Sequence, residues 1–305
     1  MKHSSCISRR EFLTASSLLL LAATTRGAEA PANPPEPIID IHQHTNYSFR
    51  SDEQLLAHQR AMGVTKTIIL PAGALYGLEA NATGNQAAYD FALNHPGEYV
   101  FFANEVAGLP GARAEIEHWL KQGAIGIGEQ KFKVDCDSPG IEQVAELARE
   151  HKVPVLLHFQ HGTYNTHIER FHKILEKFPT VNFIGHAQTW WSNIDANSDQ
   201  KTMYPMGKVA PGGLTDRLLT DYPNMYGDLS AGSGLNALNR DPDFTRGFLE
   251  RHQHKLLYGS DCNDVIGRGP GCQGAQTIAT VRKLASTKAI ERKLLYENAR
   301  KMFKL

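Results

Sequence analysis

The chain has 305 residues, 41% of them hydrophobic and 21% charged. That is the make-up of a folded domain with a sizeable core, and it excludes a disordered chain. Lys and Arg total 32 and Asp and Glu total 32, so no net field gathers polyanions, and neither nucleic acid nor an anionic membrane is expected as the main partner.

At the start, Ser8, Arg9, Arg10, Glu11, Phe12 and Leu13 resemble the twin-arginine export signal. The apolar stretch that follows, to about Thr25, is short and rich in Ser, Thr and Ala, unlike a membrane span. Residues 1–32 therefore read as an export signal and linker, with cleavage after Ala30 or Ala32. Pro31, Pro34, Pro35 and Pro37 make an extended lead-in. The expectation is a periplasmic or secreted protein. It would be carried by the twin-arginine export machinery, keep no membrane span after processing, and be open to forming homo-oligomers. Residues 33–305 remain as a single domain of roughly 270 residues, a typical size for one (β/α)8 barrel. Cys6, Cys136, Cys262 and Cys272 match no CxxC or zinc-ribbon spacing. A Cys262–Cys272 bridge stays open in an oxidising compartment.

From Ile38 onward, short apolar runs alternate with helical patterns. Strands are predicted over Ile38–His44, Thr67–Ala72, Tyr99–Asn104 and Ala124–Lys131, with helices between them over Asp52–Met62, Asn85–Asn94 and Ala112–Gln122. Ser51 is a plausible cap for the first helix. Ile141–His151 is amphipathic, with Ile141, Val144, Ala145, Leu147 and Ala148 on one face. A fifth strand over Val153–His158, a helix over Thr166–Phe178 and a sixth strand over Val181–His186 follow. The stretch from Thr189 to Gly213 is weakly periodic and holds Trp190 and Trp191. Strands over Met225–Leu229 and Lys255–Asp261 and helices from about Gln276 to Ala285 and over Ile290–Phe303 complete the chain. Such alternation predicts a parallel sheet with crossover helices.

The functional signal is positional. His42 and His44 end strand one, and their spacing puts both imidazoles on one face. Glu129 falls near the end of strand four, and His158, His186 and Asp261 end strands five, six and eight. Ionisable groups at the carboxyl ends of several barrel strands converge on one mouth. Strands one and eight are neighbours only in a closed barrel, so the pattern argues for closure as well as chemistry. Imidazoles with a carboxylate suit a divalent transition metal, zinc first, with iron, manganese and cobalt as alternatives.

Asp40-Ile41-His42-Gln43-His44, Leu157-His158, Gly185-His186 and Gly259-Ser260-Asp261, with the closing Leu295–Phe303 helix, resemble the amidohydrolase superfamily in its amidohydrolase-related branch. The resemblance runs over about residues 38–305. It implies a metal-dependent hydrolase barrel with His42, His44, His158, His186 and Asp261 as ligands. Asp261 would also accept a proton, and His186 would hold either metal or oxyanion. Glu129, in Gly126-Ile127-Gly128-Glu129, is similar to the strand-four glutamate of TatD-like deoxyribonuclease relatives, which can bridge two metals. The count of one or two ions therefore stays open. Lys131 would be either salt-bridged to Glu129 or a carbamylated bridge.

The implied reaction is attack of activated water on an ester, lactone or amide of a small molecule, with the cation lowering the water pKa toward about 7 and Asp261 as base and then acid. Non-hydrolytic decarboxylation and TatD-like phosphodiester cleavage are the alternatives. Gln160, Tyr164, Trp190, Trp191 and Arg268 are candidates for lining the substrate pocket, the tryptophans as flat apolar surface and Arg268 as a carboxylate or phosphate ligand, and Asp228 is a candidate for contact either with substrate or with the side chains behind the metal ligands.

Overall fold

The computed structural model describes residues 36–73 and 81–305. The expected export signal, its cleavage positions and most of the proline lead-in lie outside the described residues. Contacts from Pro37 to Leu305 form one unit.

Among the described residues eight strands are present: β1 (Ile39–Gln43), β2 (Lys66–Ile69), β3 (Tyr99–Phe101), β4 (Ile127–Gln130), β5 (Val155–His158), β6 (Phe183–His186), β7 (Met225–Asp228) and β8 (Leu256–Leu257). They pair in parallel as β1-β2-β3 and as β4 through β8. Backbone contacts join these runs at both seams. Ala103, after β3, bridges Ile127 of β4. At the other seam Ile41 N donates to Tyr258 O at 3.1 Å, and Asp261 N donates to His42 O at 2.9 Å. The sheet therefore closes on itself, as the sequence predicted, into a single-domain (β/α)8 barrel.

The helices are α1 (Asp52–Ala61), α2 (Asn85–Asn94), α3 (Ala112–Lys121), α4 (Pro139–His151), α5 (His172–Lys177), α6 (Gln188–Ser192), α7 (Leu214–Asp221), α8 (Ala231–Arg240), α9 (Pro242–Arg251), α10 (Gln273–Leu284), α11 (Lys288–Arg292) and α12 (Asn298–Phe303). Ser51 caps α1 through a reciprocal box with Gln54. Ser138 caps α4, whose first residue is Pro139, and α4 buries the five apolar residues its periodicity selects. Among the described residues no helix is long and apolar enough to cross a membrane.

Two predicted elements differ, and one stretch holds helices that were not predicted. Thr166–Phe178 is a short 3-10 turn followed by α5. Strand eight is a two-residue ladder, with Tyr258–Asp261 continuing as extended chain against β1. Helices α8 and α9 fill a stretch for which no element was predicted.

The alternating strand faces sort into two apolar layers. Ile39, Ile41, Ile68, Leu156, Ile184 and Leu257 fill the barrel, and Ala299 and Phe303 of α12 pack with them. Ile69, Phe101, Val155, Leu157, Phe183 and Leu256 pack outward under the helices. Register breaks between Asp40 and Gln43 in β1 and between Ile127 and Gln130 in β4. Each irregularity comes just before or at a polar residue of the mouth, His42 or Glu129. A bulge re-aims a side chain that strict alternation would send outward.

Candidate metal centre

Four histidines and two carboxylates from the ends of five strands, β1, β4, β5, β6 and β8, meet at the carboxyl end of the barrel. His42 Nε2 stands 3.2 Å from His44 Nε2. It is 3.6 Å from Glu129 Oε2 and 3.9 Å from Asp261 Oδ1. His44 Nε2 is 3.7 Å from Glu129 Oε2 and 3.6 Å from Asp261 Oδ1. His186 Nε2 is 3.6 Å from Glu129 Oε1 and 3.5 Å from Asp261 Oδ2. All of these groups are buried or nearly so.

The outer nitrogens fix the tautomers. His44 Nδ1 donates to Leu70 O at 2.7 Å. His42 Nδ1 lies 2.7 Å from Asp228 Oδ2. His186 Nδ1 faces Ser230 Oγ at 3.0 Å and Asp228 Oδ2 at 3.3 Å. With those nitrogens protonated, each Nε2 points a lone pair into the same space, facing two carboxylates. Such a set needs something positive at its centre. Donors at about 2.0–2.2 Å from a first-row ion stand about 3–3.6 Å from one another, and the separations here match that shell closely. His42, His44 and Asp261 form one cation-sized group, and His42, Glu129 and His186 form another that shares His42. The donor set and its spacing fit a divalent metal cofactor, and residues buttressing metal histidines in this way are the usual complement of such sites.

The electrostatics agree. Burial opposes charge on His42, yet the Asp261, Asp228 and Glu129 carboxylates hold it well above the ordinary imidazole value. Burial also opposes charge on Glu129 and Asp261. His158 chiefly for Glu129, and His42 chiefly for Asp261, hold them well below the usual carboxylate range. His186, pressed down by burial and by His42, is still lifted to about 8 by Asp228 and Asp261. Asp228, against its burial, is drawn down to about 2 by His186 and His42. The carboxylates that pull protons onto these rings would equally pull a cation into their place.

His158 is placed differently from its expectation as a direct ligand. Its Nδ1 meets Glu129 Oε1 at 2.5 Å and its Nε2 faces Gln160 Oε1 at 3.2 Å, so here it braces the glutamate. Burial pushes its pKa down. Tyr164 packs edge-on against His158 at 5.5 Å, with the Lys131 ammonium 5.5 Å over its ring.

The expectations of a tryptophan pocket wall and of Asp228 as a substrate contact are corrected. Trp190 and Trp191 are 0% and 2% exposed and belong to the outer core, not to a pocket wall. Trp190 lies against Gly185, where an added Cβ would come within 2.5 Å of its ring. Trp191 Nε1 donates to the Asp228 carbonyl at 2.9 Å. Asp228 holds His42, His186 and Ser230 and has no exposed surface for a substrate. Arg268 is exposed on the loop between Cys262 and Cys272 and makes no hydrogen bond or ion pair among the described residues.

Two residues escaped the sequence reading. Tyr47 packs edge-on against His44 at 5.2 Å. Its hydroxyl lies beside the Asp261 carboxylate, whose charge raises the phenol's pKa. Asp40, with no exposure, accepts from His42 N at 3.0 Å, Ser260 N at 2.9 Å and Gln59 Nε2 at 3.0 Å, and pairs with Ser260 Oγ. It thereby stitches β1 to the segment after β8. Gly259 leaves room for this crossing, since a Cβ there would lie 2.5 Å from Asp228 Oδ1 and 3.0 Å from His42 Cβ.

A family model described as amidohydrolase matches residues 39–305. The chain belongs to the amidohydrolase family. No curated protein matches the sequence. Among solved structures, an uncharacterised TIM-barrel protein of Bordetella bronchiseptica superposes with TM-score 0.62 at 12% identity, over 88% of this chain and 98% of the other. A candidate 2-pyrone-4,6-dicarboxylic acid hydrolase of Pseudomonas putida gives 0.60 at 16% identity, over 88% and 97%. A 5-carboxyvanillate decarboxylase of Novosphingobium aromaticivorans, solved with manganese, gives 0.54 at 15% identity, over 98% and 94%. At these identities the likeness is one of fold. This chain is accordingly a metal-binding barrel enzyme of the amidohydrolase superfamily.

Proposed function

We propose that this amidohydrolase-family enzyme cleaves a bond at a carboxyl or carbonyl carbon of a small molecule, and that the reaction is a non-hydrolytic decarboxylation. The observation that carries the proposal is the inward-facing set of His42, His44, His186, Glu129 and Asp261, whose outer nitrogens are already taken. When bound there, a divalent cation supplies Lewis-acid polarisation and acidifies water. Zinc suits the nitrogen-rich donor set, and manganese fits the same geometry.

The chain's own part is to hold the substrate and move one proton. Asp261 is the group positioned for that transfer, beside the Tyr47 hydroxyl. In a decarboxylation the bond to the carboxylate carbon breaks, carbon dioxide leaves, the electron pair stays on the remaining carbon, and Asp261 relays to that carbon a proton taken up from solvent. The nearly closed setting of the centre favours this reading, since excluded water protects a carbanion-like carbon from side reactions.

Hydrolysis of an ester, lactone or amide is the second reading, and a charge count favours it. Glu129 and Asp261 together balance one divalent cation, which suits a neutral carbonyl better than an anion. Asp261 would then take a proton from water and return it to the leaving group. The fold alone does not choose, because proteins named for both reactions share it. A nuclease reading would rest on Glu129 alone, against a neutral chain. The deciding assay incubates the metal-loaded chain with unsaturated and aromatic carboxylates, lactones, esters and amides in oxygen-18 water. Carbon dioxide release with unlabelled product supports decarboxylation. Oxygen-18 in a product acid supports hydrolysis and ends the first reading.

We further propose export by the twin-arginine route to the periplasm or beyond, on the Ser8–Leu13 motif. Replacing Arg9 and Arg10 by lysine should leave the protein in the cytoplasm, as cell fractionation would show.

A further inference from the structure

We propose a second metal site, separate from the catalytic centre, in which Cys262, Cys272 and His58, with the Met62 thioether beside them, hold one thiophilic cation, copper(I) or zinc. His58 lies in α1 and Met62 follows it. Cys262 comes directly after Asp261, and Cys272 is the residue that caps α10. The loop between the two cysteines folds back over α1, so closely that a Cβ on Gly267 would fall 2.3 Å from the His58 carbonyl.

The ligand atoms of His58, Cys262 and Cys272 all lie within 4.8 Å of one another. Cys262 Sγ and Cys272 Sγ are 3.8 Å apart. A tetrahedral ion with metal–sulfur bonds of about 2.3 Å places its sulfurs about 3.8 Å apart. A disulfide would need them at about 2 Å. Cys272 Sγ is 3.3 Å from His58 Nε2 and 3.6 Å from Met62 Sδ. The thioether therefore stands beside Cys272 as a further soft donor. Sulfur-rich sets of this kind select copper(I) and zinc over the harder ions favoured by nitrogen and carboxylate.

Burial supports the assignment. His58 and Cys272 have no exposure, Cys262 is 2% exposed and Met62 8%. A structural histidine at such depth is ordinarily hydrogen-bonded at both nitrogens. His58 Nδ1 has no hydrogen-bond partner among the described residues, and Nε2 faces sulfur, with Asp264 Oδ2 4.0 Å away. Binding is balanced by release of the thiol protons to solvent. Occupancy would pin the loop that starts one residue after Asp261.

The test titrates the full, metal-stripped chain with cobalt(II) under reducing conditions. A near-ultraviolet thiolate-to-cobalt band should grow to one equivalent, since the catalytic centre offers no thiolate. It should vanish in Cys262→Ser and Cys272→Ser, weaken in His58→Asn, and persist in Cys136→Ser. Displacement of the band by zinc or by buffered copper(I) then ranks the two ions. Absence of the band from the wild-type chain would overturn the proposal whatever the variants do. So would an unreduced intact mass lower by two hydrogens with these two cysteines linked.

Discussion

At Asp228 a fully buried carboxylate stays ionised because His42 and His186 share it, and both rings take their orientation from it. Removing such a support lowers metal affinity by roughly 10–100-fold. Asp228→Ala should therefore weaken cation binding by about that factor in competition with a chelating dye, and unchanged affinity would remove its orienting role. The residue illustrates what a strand-end pattern conveys and what it omits. That Asp228 falls at the mouth is readable from its place after an apolar run. Whether it faces a substrate or a neighbouring histidine depends on strands contributed from elsewhere in the chain. Trp190 and Trp191 fail to line a pocket for the same reason: an adjacent aromatic pair has no periodicity to mark its exposed side. Gly185 and the Asp228 carbonyl, which receive the two rings, lie outside their segment. Glu129 was legible as a candidate, but its inward aim needed the register break in β4.

Among the elements, the β6–α6 corner shows how tightly packing sets composition. A methyl at Gly185 meets the Trp190 ring at 2.5 Å. Overpacking of that kind costs about 1–3 kcal/mol, so Gly185→Ala should lower the urea midpoint accordingly. Further round the barrel, Asp216 of α7 binds Arg251 of α9 at 2.9 Å and His252 at 2.5 Å. Burial opposes its ionisation, and His252 and Arg251 prevail, leaving its pKa below the ordinary carboxylate value. A depressed carboxylate stabilises above its unfolded pKa of about 3.9 and loses that contribution as pH falls through the lower folded value. Asp216→Asn should be less stable than wild type at neutral pH, and the gap should shrink at the acid end. A gap that holds constant in urea titrations down to acid pH would refute the linkage. Helices α8 and α9 went unpredicted although a start signal was present in Asp241-Pro242, where Asp241 caps and Pro242 opens α9. Helix α8 has weak intrinsic propensity, with Gly232 and Gly234 in its first turns. Gly234 is required because a Cβ would sit 2.3 Å from the Leu229 carbonyl, a close approach set by the turn from β7 into α8 and not by helical periodicity.

Across the whole molecule, the order of strands and the closure of the ring were legible because ionisable residues recur at strand ends, and only a ring brings the first and last of them together. The seam that completes it is held by a few backbone hydrogen bonds, by Gln43 and Arg50 donating to Ser260 and Cys262, and by the Asp40–Ser260 pair, whose members are 220 positions apart. Joining ends so distant is entropically slow. Until about the last sixth of the polypeptide arrives, the histidines of the opening strand lack Asp261, and a ribosome-bound nascent chain holds an unfinished cage. Two pieces, 37–254 and 255–305, should each be inert alone. Mixed, they should regain cation binding by docking along the gap, and pieces that associate without regaining it would show that continuity of the backbone, not apposition, builds the cage.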